Sequence, residues 1–172
     1  NVVEGTVKGT YSLLYAYGGE HDAFGQRSLD LFGDLCCGDV AMKTQRYGWF
    51  VTDEYGQTYQ RRGTFWSFYY QIIRACNKGI NALNTQGVPP VVFDPDTISD
   101  QDYINGYYYA ELLTMRGWAY AALQRYFCKT VNELNDAGSD ISTELSVPLY
   151  TDLDTEADTT LGAPRSTAED VY

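Results

Sequence analysis

The sequence predicts a packed all-α protein with long irregular loops, chiefly because of the segment from Tyr107 to Phe127. Its apolar residues recur almost all the way round a helix of 3.6 residues per turn, which is typical of a helix with neighbours on several sides. A second pattern, with apolar spacings of three and four, begins after Thr64. Such periodic segments are separated by stretches without a helical period, so we expect helices joined by irregular connections.

Arg116 falls on the apolar part of the Tyr107–Phe127 helix. On a helical wheel it lies with Leu112, Leu123 and Tyr120 in a sector that we expect to be buried. A buried guanidinium needs a partner, which is either a ligand or protein groups such as backbone carbonyls or a carboxylate. We interpret Arg116 as a structural anchor of the second kind. Small residues would let neighbouring helices approach closely, namely Ala110, Gly117, Ala119, Ala121 and Ala122.

Other helices follow from spacing and end signals. A first helix is predicted from the start of the chain to Tyr17, before Gly18-Gly19. Another begins after the N-cap candidate Thr64 and stops near Asn84 and Gly87. Its expected buried face consists of Phe65, Tyr69, Ile72, Cys76, Ile80 and Leu83.

A proline-containing loop should then lead to a third long helix. Ser99 and Asp102 have the spacing of a capping box at its start. Two long helices joined in this way should pack antiparallel. Beyond Phe127 the chain turns polar as far as Arg165, which we interpret as a surface excursion with Val147-Pro148-Leu149 as an extended island. The last residues, TAEDVY, look like the opening of a further helix.

The stretch from Glu20 to Gly63 is rich in glycine and shows little periodicity apart from apolar residues near Leu29 to Leu35. A long irregular connection inside a compact domain is usually functional. Six residues in it place rings or a guanidinium where no helical period would bury them, and we predict ligand binding by Arg46, Tyr47, Trp49, Phe50, Tyr55 and Tyr59. Aromatic faces stack on sugar rings, so a glycan is the expected ligand, with Trp49 and Tyr47 as the first candidates.

Composition narrows the function further. The chain has 172 residues, 44% of them hydrophobic, and we treat 1–172 as a single α-helical region. Its 12 basic and 23 acidic residues give a net charge of -11 without a basic cluster, so nucleic acid is not an expected partner. The four cysteines and the single His21 lack zinc-site spacing, and no cofactor or metal is predicted. Cys76 and Cys128 are expected to be buried apolar residues.

The sequence also offers few of the activated groups that catalysis would need. It has no GxSxG motif and no phosphate loop. His21 with its acidic neighbours reads as a solvated turn, and Asp34 with Asp39 need not be close enough for glycoside hydrolysis. We therefore expect a protein that is not an enzyme.

Several motifs occur in the order found in one known family. A W-x-x-x-Y-x-x-I-x-x-x-N helix is represented by Trp66, Tyr70, Ile73 and Asn77, and an L-R-A-x-x-Y-x-x-L-x-x-x-F helix by Met115, Arg116, Gly117, Tyr120, Leu123 and Phe127. The island at Val147 and the segment from Arg165 to Tyr172 complete the order. From about Tyr11 onward the chain resembles the N-terminal part of the SusD-like (RagB/SusD) outer-membrane nutrient-binding lipoproteins of Bacteroidetes. Cys128 departs from the pattern, because the family commonly has glycine there.

This resemblance implies a tetratricopeptide-like helical assembly and a longer protein of which the chain is the first part. It implies a surface lipoprotein of the outer membrane, with the anchor outside this chain. Such a protein captures a glycan, or less often a peptide, and passes it to a SusC-like TonB-dependent transporter. Within the motifs we assign structural roles to Trp66, Asn77 and Arg116. The alternatives are a tetratricopeptide-like scaffold that binds protein and, more weakly supported, a glycan-processing enzyme.

Overall fold

The computed structural model describes residues 2–16, 25–41, 43, 62–88, 96, 99–151 and 163–172. These residues form six helices: α1 Val2–Ala16, α2 Gln26–Cys37, α3 Arg62–Thr85, α4 Asp100–Phe127, α5 Val131–Asp136 and α6 Ala168–Val171. The described ranges contain no strand, and Leu145 and Thr167 form an isolated antiparallel bridge. The all-α prediction is confirmed, whereas the tetratricopeptide-like arrangement stays a prediction.

The chain divides into two compact units, Asn1–Thr10 with Tyr69–Tyr172, and Tyr11–Phe68. In the first unit α3 and α4 run antiparallel, as predicted. The ring of Tyr69 contacts Trp118 at 5.7 Å and Tyr126 at 6.1 Å between centroids, whereas Gly79, near the other end of α3, lies against Leu112. The predicted buried face of α3 is confirmed over its whole length, because Phe65, Tyr69, Ile72, Cys76, Ile80 and Leu83 are all buried.

Gly79 lies where three helices of the first unit approach one another closely. A Cβ atom at this position would lie 2.6 Å from Cδ1 of Leu112 on α4 and 3.1 Å from Cγ2 of Thr6 on α1. Leu112 is fully buried. Only a residue without a side chain therefore fits between these helices without movement of a neighbour.

The second unit contains α2, so the interpretation of Glu20–Gly63 as irregular is wrong for Gln26–Cys37. Two glycines with positive φ flank this helix, Gly25 at 71° and Gly38 at 79°. A Cβ on Gly25 would lie 2.0 Å from the carbonyl oxygen of Leu14, so the turn into α2 requires glycine. Inside the unit Leu29 is buried, and the rings of Phe32 and Phe65 meet edge to face at 5.0 Å.

The predicted helix ends agree with the structure except at one position. Helix α1 ends at Ala16, and α3 ends at Thr85 before Gly87, whose φ is 73°. The proposed N-cap at Thr64 is wrong, because α3 already begins at Arg62. At the start of α4 the N-cap half of the predicted capping box is confirmed: Ser99 Oγ accepts from the Asp102 backbone N–H at 3.1 Å.

Beyond Phe127, the described residues 128–151 and 163–172 are more ordered than a surface excursion. Helix α5 begins with a capping box between Thr130 and Glu133, and its Leu134 is fully buried. The hydrogen bonds from the backbone and hydroxyl of Thr130 lower the pKa of Glu133. Ser146 and Val147 are also buried. The predicted opening of a helix in the last residues is confirmed by α6, which has Thr167 as its N-cap.

Helix α4 has neighbours on fewer sides than predicted. Ala119 and Ala122 are buried, whereas Ala110, Gly117 and Ala121 are exposed in this chain. Small side chains expose little apolar area, so their presence alone does not require a partner. None of the described helices combines the length and apolar character needed to cross a bilayer.

Candidate functional site

The segment Leu145–Thr151, here called the strap, lies against α3 and α4 in the first unit. It is not helical and, among the described residues, it pairs with other backbone only near Thr167. Backbone N–H and C=O groups that leave water must find hydrogen-bond partners. The groups of α3 and α4 are used within the helices themselves, so their side chains supply the partners for the strap.

Four side chains bind the strap through its main chain, and we call them the clasp: Tyr70, Asn77, Arg116 and Tyr120. The hydroxyl of Tyr70 donates to the Pro148 carbonyl at 2.8 Å. Asn77 Nδ2 donates to the Tyr150 carbonyl at 2.8 Å. Arg116 Nη1 donates to the Thr151 carbonyl at 3.0 Å and to Oδ1 of Asn77 at 2.9 Å.

Tyr120 holds both polar groups of one strap residue. Its hydroxyl accepts from the Tyr150 N–H at 2.7 Å and donates to the carbonyl of the same residue at 3.0 Å. Tyr150 is therefore fixed in position and orientation. Its own hydroxyl accepts from the Ala163 N–H at 3.1 Å, which connects the strap to the returning chain.

Helix geometry explains how the clasp residues reach the same segment. Tyr70 and Asn77 are seven residues apart, about two turns, and Arg116 and Tyr120 are four apart, about one turn, so each pair lies on one face of its helix. The ring of Tyr70 meets Tyr120 at 6.5 Å and Tyr150 at 5.6 Å, nearly perpendicular in both cases. Burial, with a smaller effect of these two neighbours, raises the pKa of Tyr70. Its hydroxyl therefore remains a donor.

The returning segment 163–167 also holds the strap. The Ser146 N–H donates to the Ser166 carbonyl at 2.7 Å, and the Leu149 N–H donates to Ser166 Oγ at 3.3 Å. Arg165 donates to the carbonyls of Ser146 and Leu145. The strap is thus held by main-chain contacts along most of its length.

The two described thiols lie in different surroundings. Cys76 is fully buried, as predicted, and burial raises its pKa to about 12, although the charge of Arg116 acts in the opposite direction. Cys128 is half-buried, and its Sγ lies 3.6 Å from Ser146 Oγ, which also donates to Gln124 Oε1. The prediction of a buried apolar Cys128 is therefore wrong, because a polar group of the strap reaches it. Its φ of -133° is open to any residue, so glycine is not required there.

Arg116 differs from the prediction in its exposure. It is half-buried, because its guanidinium extends to the exposed residue Thr151 at the end of the strap. Asn77 is only 1% exposed, and its amide uses both its oxygen and its nitrogen. Trp66 lies on α3 with 36% of its surface exposed. The structural roles assigned to these three residues stay predictions.

The predicted ligand residues lie outside the described part of the chain: Arg46, Tyr47, Trp49, Phe50, Tyr55 and Tyr59. The same holds for His21 and its two acidic neighbours. Asp34 and Asp39 are exposed. Among the residues that the structure describes, no three histidine, cysteine or carboxylate side chains form a group that could hold a metal ion.

In the sequence the clasp residues belong to two separate motifs and the strap to a third, and the spacing of the motifs does not relate them. Nothing in the helical periods of α3 and α4 indicates that Tyr70 and Tyr120 meet an extended segment. A signal was present in Arg116 itself, since an arginine on a predicted buried face requires a partner. The arrangement binds peptide backbone, and its donors and acceptors serve the strap.

Comparison with known proteins identifies the family. A search of curated proteins finds no significant match. The structure is similar to that of a SusD-like carbohydrate binding protein from Bacteroides vulgatus ATCC 8482, with a TM-score of 0.70 and 19% identity. The match covers 99% of this chain, which spans 32% of that protein's length. The family model SusD-like_3, described as "Starch-binding associating with outer membrane", matches residues 13–172, and the chain therefore belongs to the SusD-like family.

Proposed function

We propose that this chain is part of a non-enzymatic protein that binds a glycan at the outer membrane. The observation that carries the proposal is the family match, because the model covers residues 13–172 and its description names starch binding and outer-membrane association. The structural relative is itself a carbohydrate binding protein by name. The absence of a catalytic motif in the sequence is consistent with binding without turnover.

The aromatic residues of the 44–61 stretch remain the proposed ligand contacts. Sugar rings present C–H faces that stack on aromatic side chains, and a guanidinium can hold their hydroxyl groups. The clasp has the same chemistry, with an arginine, an asparagine and two tyrosines. Its groups hold the strap, however, so they are poor candidates for ligand contacts in this conformation. This contrast favours Tyr47, Trp49 and the neighbouring residues of the 44–61 stretch as the ligand contacts.

Calorimetric titration with solubilised starch and a panel of other polysaccharides tests the proposal. We expect saturable binding to at least one glycan, and a loss of about tenfold in affinity for Trp49→Ala or Tyr47→Ala, because one lost ring contact is worth about 1–1.5 kcal/mol. Tyr172→Ala is the matched control, since this tyrosine is 64% exposed and lies outside the stretch. Absence of binding to every glycan, or equal losses in all three variants, would contradict the proposal.

Transfer of the glycan to a SusC-like TonB-dependent transporter is part of the proposal and rests on the family resemblance. Co-purification of the whole protein with such a transporter from outer membranes of its host would support it. Recovery of the protein alone under conditions that preserve other outer-membrane complexes would speak against it.

A protein-binding scaffold of the tetratricopeptide kind is the second candidate. It is favoured by the exposed face of α4, where Tyr103, Tyr107 and Trp118 present apolar surface. Binding of peptides but of no polysaccharide in the same titration would select this function. Incubation with oligosaccharides followed by an assay for new reducing ends distinguishes both candidates from a glycan-processing enzyme.

A further inference from the structure

We infer that the C-terminal half of the strap, Pro148–Thr151, is a latch that the clasp holds closed as one cooperative unit and that opens without unfolding the helices. This inference does not depend on glycan binding. It follows from three observations. The bonds that hold the strap are connected to one another, burial along the strap is uneven, and the helices pack their core without the latch.

The bonds of Asn77, Arg116 and Tyr120 share atoms, and the Tyr70 ring contacts Tyr120 and Tyr150, so we expect the four clasp residues to release the strap together. The Tyr150 carbonyl accepts from both Asn77 and Tyr120. Asn77 in turn accepts from Arg116, which also binds the Thr151 carbonyl. Removal of one donor lets the strap move away from the others and leaves half-buried polar groups without partners, which is costly. Such a network opens in a single step.

Burial along the strap is uneven. Ser146 and Val147 are 1% and 2% exposed, whereas Pro148, Leu149 and Tyr150 are half-buried and Thr151 is exposed. The first two residues are anchored by apolar contact and by the bonds to Ser166 and Arg165. The following residues are held by the clasp and by two bonds to the returning segment, from the Leu149 N–H to Ser166 Oγ and from the Ala163 N–H to the Tyr150 hydroxyl. Val147 is therefore the point about which the latch would open.

The helices do not depend on the latch for their core. The fully buried side chains of α1, α3 and α4 include Val3, Ile72, Leu83, Leu112 and Leu123, and no residue of Pro148–Thr151 is among the buried residues. Local opening free energies are lowest where few apolar contacts hold the backbone. Opening of Pro148–Thr151 should therefore cost less than global unfolding.

Amide hydrogen exchange of the Tyr150 N–H tests the inference in the Tyr70→Phe variant. Tyr70 does not touch this amide, which is bonded to Tyr120, so simple loss of the Tyr70 bond would leave its exchange unchanged. If the clasp opens as a unit, exchange at Tyr150 should rise about fivefold, the factor expected for the loss of one hydrogen bond. The Ile72 amide in α3 reports global unfolding and should change less than twofold.

Two further variants make the result decisive. Arg116→Met removes the bonds to Asn77 and Thr151 and should raise Tyr150 exchange at least as much as Tyr70→Phe. Tyr109→Phe is the matched control on the same helix, because Tyr109 is buried and is outside the clasp. An equal rise at Tyr150 and Ile72, no rise at Tyr150 in either clasp variant, or a local rise in the control would each overturn the inference.

Discussion

At the scale of single residues, Asn77 shows why a polar side chain lies among apolar ones in this protein. A buried amide without partners costs on the order of 1–3 kcal/mol. Here its oxygen accepts from Arg116 and its nitrogen donates to the Tyr150 carbonyl, so both ends are used. Arg116 completes the arrangement from the half-exposed edge of the cluster. Both residues donate to carbonyl groups of the strap, so their hydrogen bonding is complete only when the strap is in place.

Cys76, the residue before Asn77, yields a prediction about pH. Burial raises the pKa of the Cys76 thiol from a reference value of 9.0 to about 12 in the folded protein. Below pH 9 the thiol is neutral in both the folded and the unfolded chain, so its full contribution to the free energy of unfolding is present there. Between pH 9 and 12 the unfolded chain loses the thiol proton first, and the free energy of unfolding should fall by up to about 1.4 kcal/mol per pH unit. Cys76→Ala removes this dependence.

Urea unfolding of wild type and Cys76→Ala at pH 8 and pH 10.5 checks the prediction. At pH 8 we expect the variant to be less stable by roughly 1 kcal/mol, because it leaves a small cavity. At pH 10.5 the stability difference should shrink or reverse, because only the wild type retains a thiol that must stay protonated. Tyr70 is present in both proteins and cancels. A difference that is the same at both pH values would show that the thiol does not titrate in this way.

At the scale of elements, the long helices and the opening of α6 were predictable, whereas α2 and α5 were not. Helices α3 and α4 each carry several turns of apolar residues, which fix their period and buried faces. Helix α2 has twelve residues and is defined mainly by Gly25 and Gly38 at its ends, whereas α5 has six and depends on the Thr130–Glu133 cap. In such elements the residues at the helix ends are a stronger signal than the apolar period. The same glycines and polar residues are also typical of a loop, so they do not identify a helix.

A glycine pair on the long helices gives a second prediction. Gly117→Ala adds a methyl group into open space on α4 and should stabilise the protein by up to about 1 kcal/mol through helix propensity. Gly79→Ala gains the same propensity on α3, but its Cβ would lie 2.6 Å from the buried Leu112. Overpacking costs about 1–3 kcal/mol, so this variant should be less stable than Gly117→Ala by that amount.

Thermal or urea unfolding of the two variants side by side measures this difference, and each glycine serves as the control for the other. Since both changes add one methyl group within a helix, the propensity gain cancels and the packing cost remains. Equal stabilities would mean that Leu112 can move aside without cost and that the three helices are less closely packed at Gly79 than the structure indicates.

At the scale of the whole molecule, the order of motifs carried more information than any one of them. Tyr70 and Asn77 bind carbonyls that lie 78 and 73 residues further along the chain. No local period reports a contact across such a distance, so sequence analysis could name the motif residues without finding that they meet at the strap. The ligand residues proposed for 44–61 pose the same problem, because the exposure of a ring in a loop depends on the packing around it.

The net charge of -11 leads to the last prediction, which concerns the molecule as a whole. A large charge of one sign destabilises a compact chain through self-repulsion. Raising the ionic strength from 0.01 to 0.15 M shortens the screening length from about 30 to about 8 Å, so distant carboxylates repel less. At pH 7.5 we expect the Tm to rise by about 2–4 °C, equivalent to about 1 kcal/mol for a chain of this size.

Calorimetry at pH 7.5 and at pH 4.3 separates repulsion from other effects of salt. The sequence has an isoelectric point near 4.3, where the net charge and its repulsion vanish, so salt should leave the Tm unchanged there. A similar rise at both pH values would instead indicate a general effect of salt on burial of apolar surface. A fall at pH 7.5 would mean that attractive pairs such as Lys8 with Glu4 outweigh the repulsion, although exposed pairs of this kind contribute little.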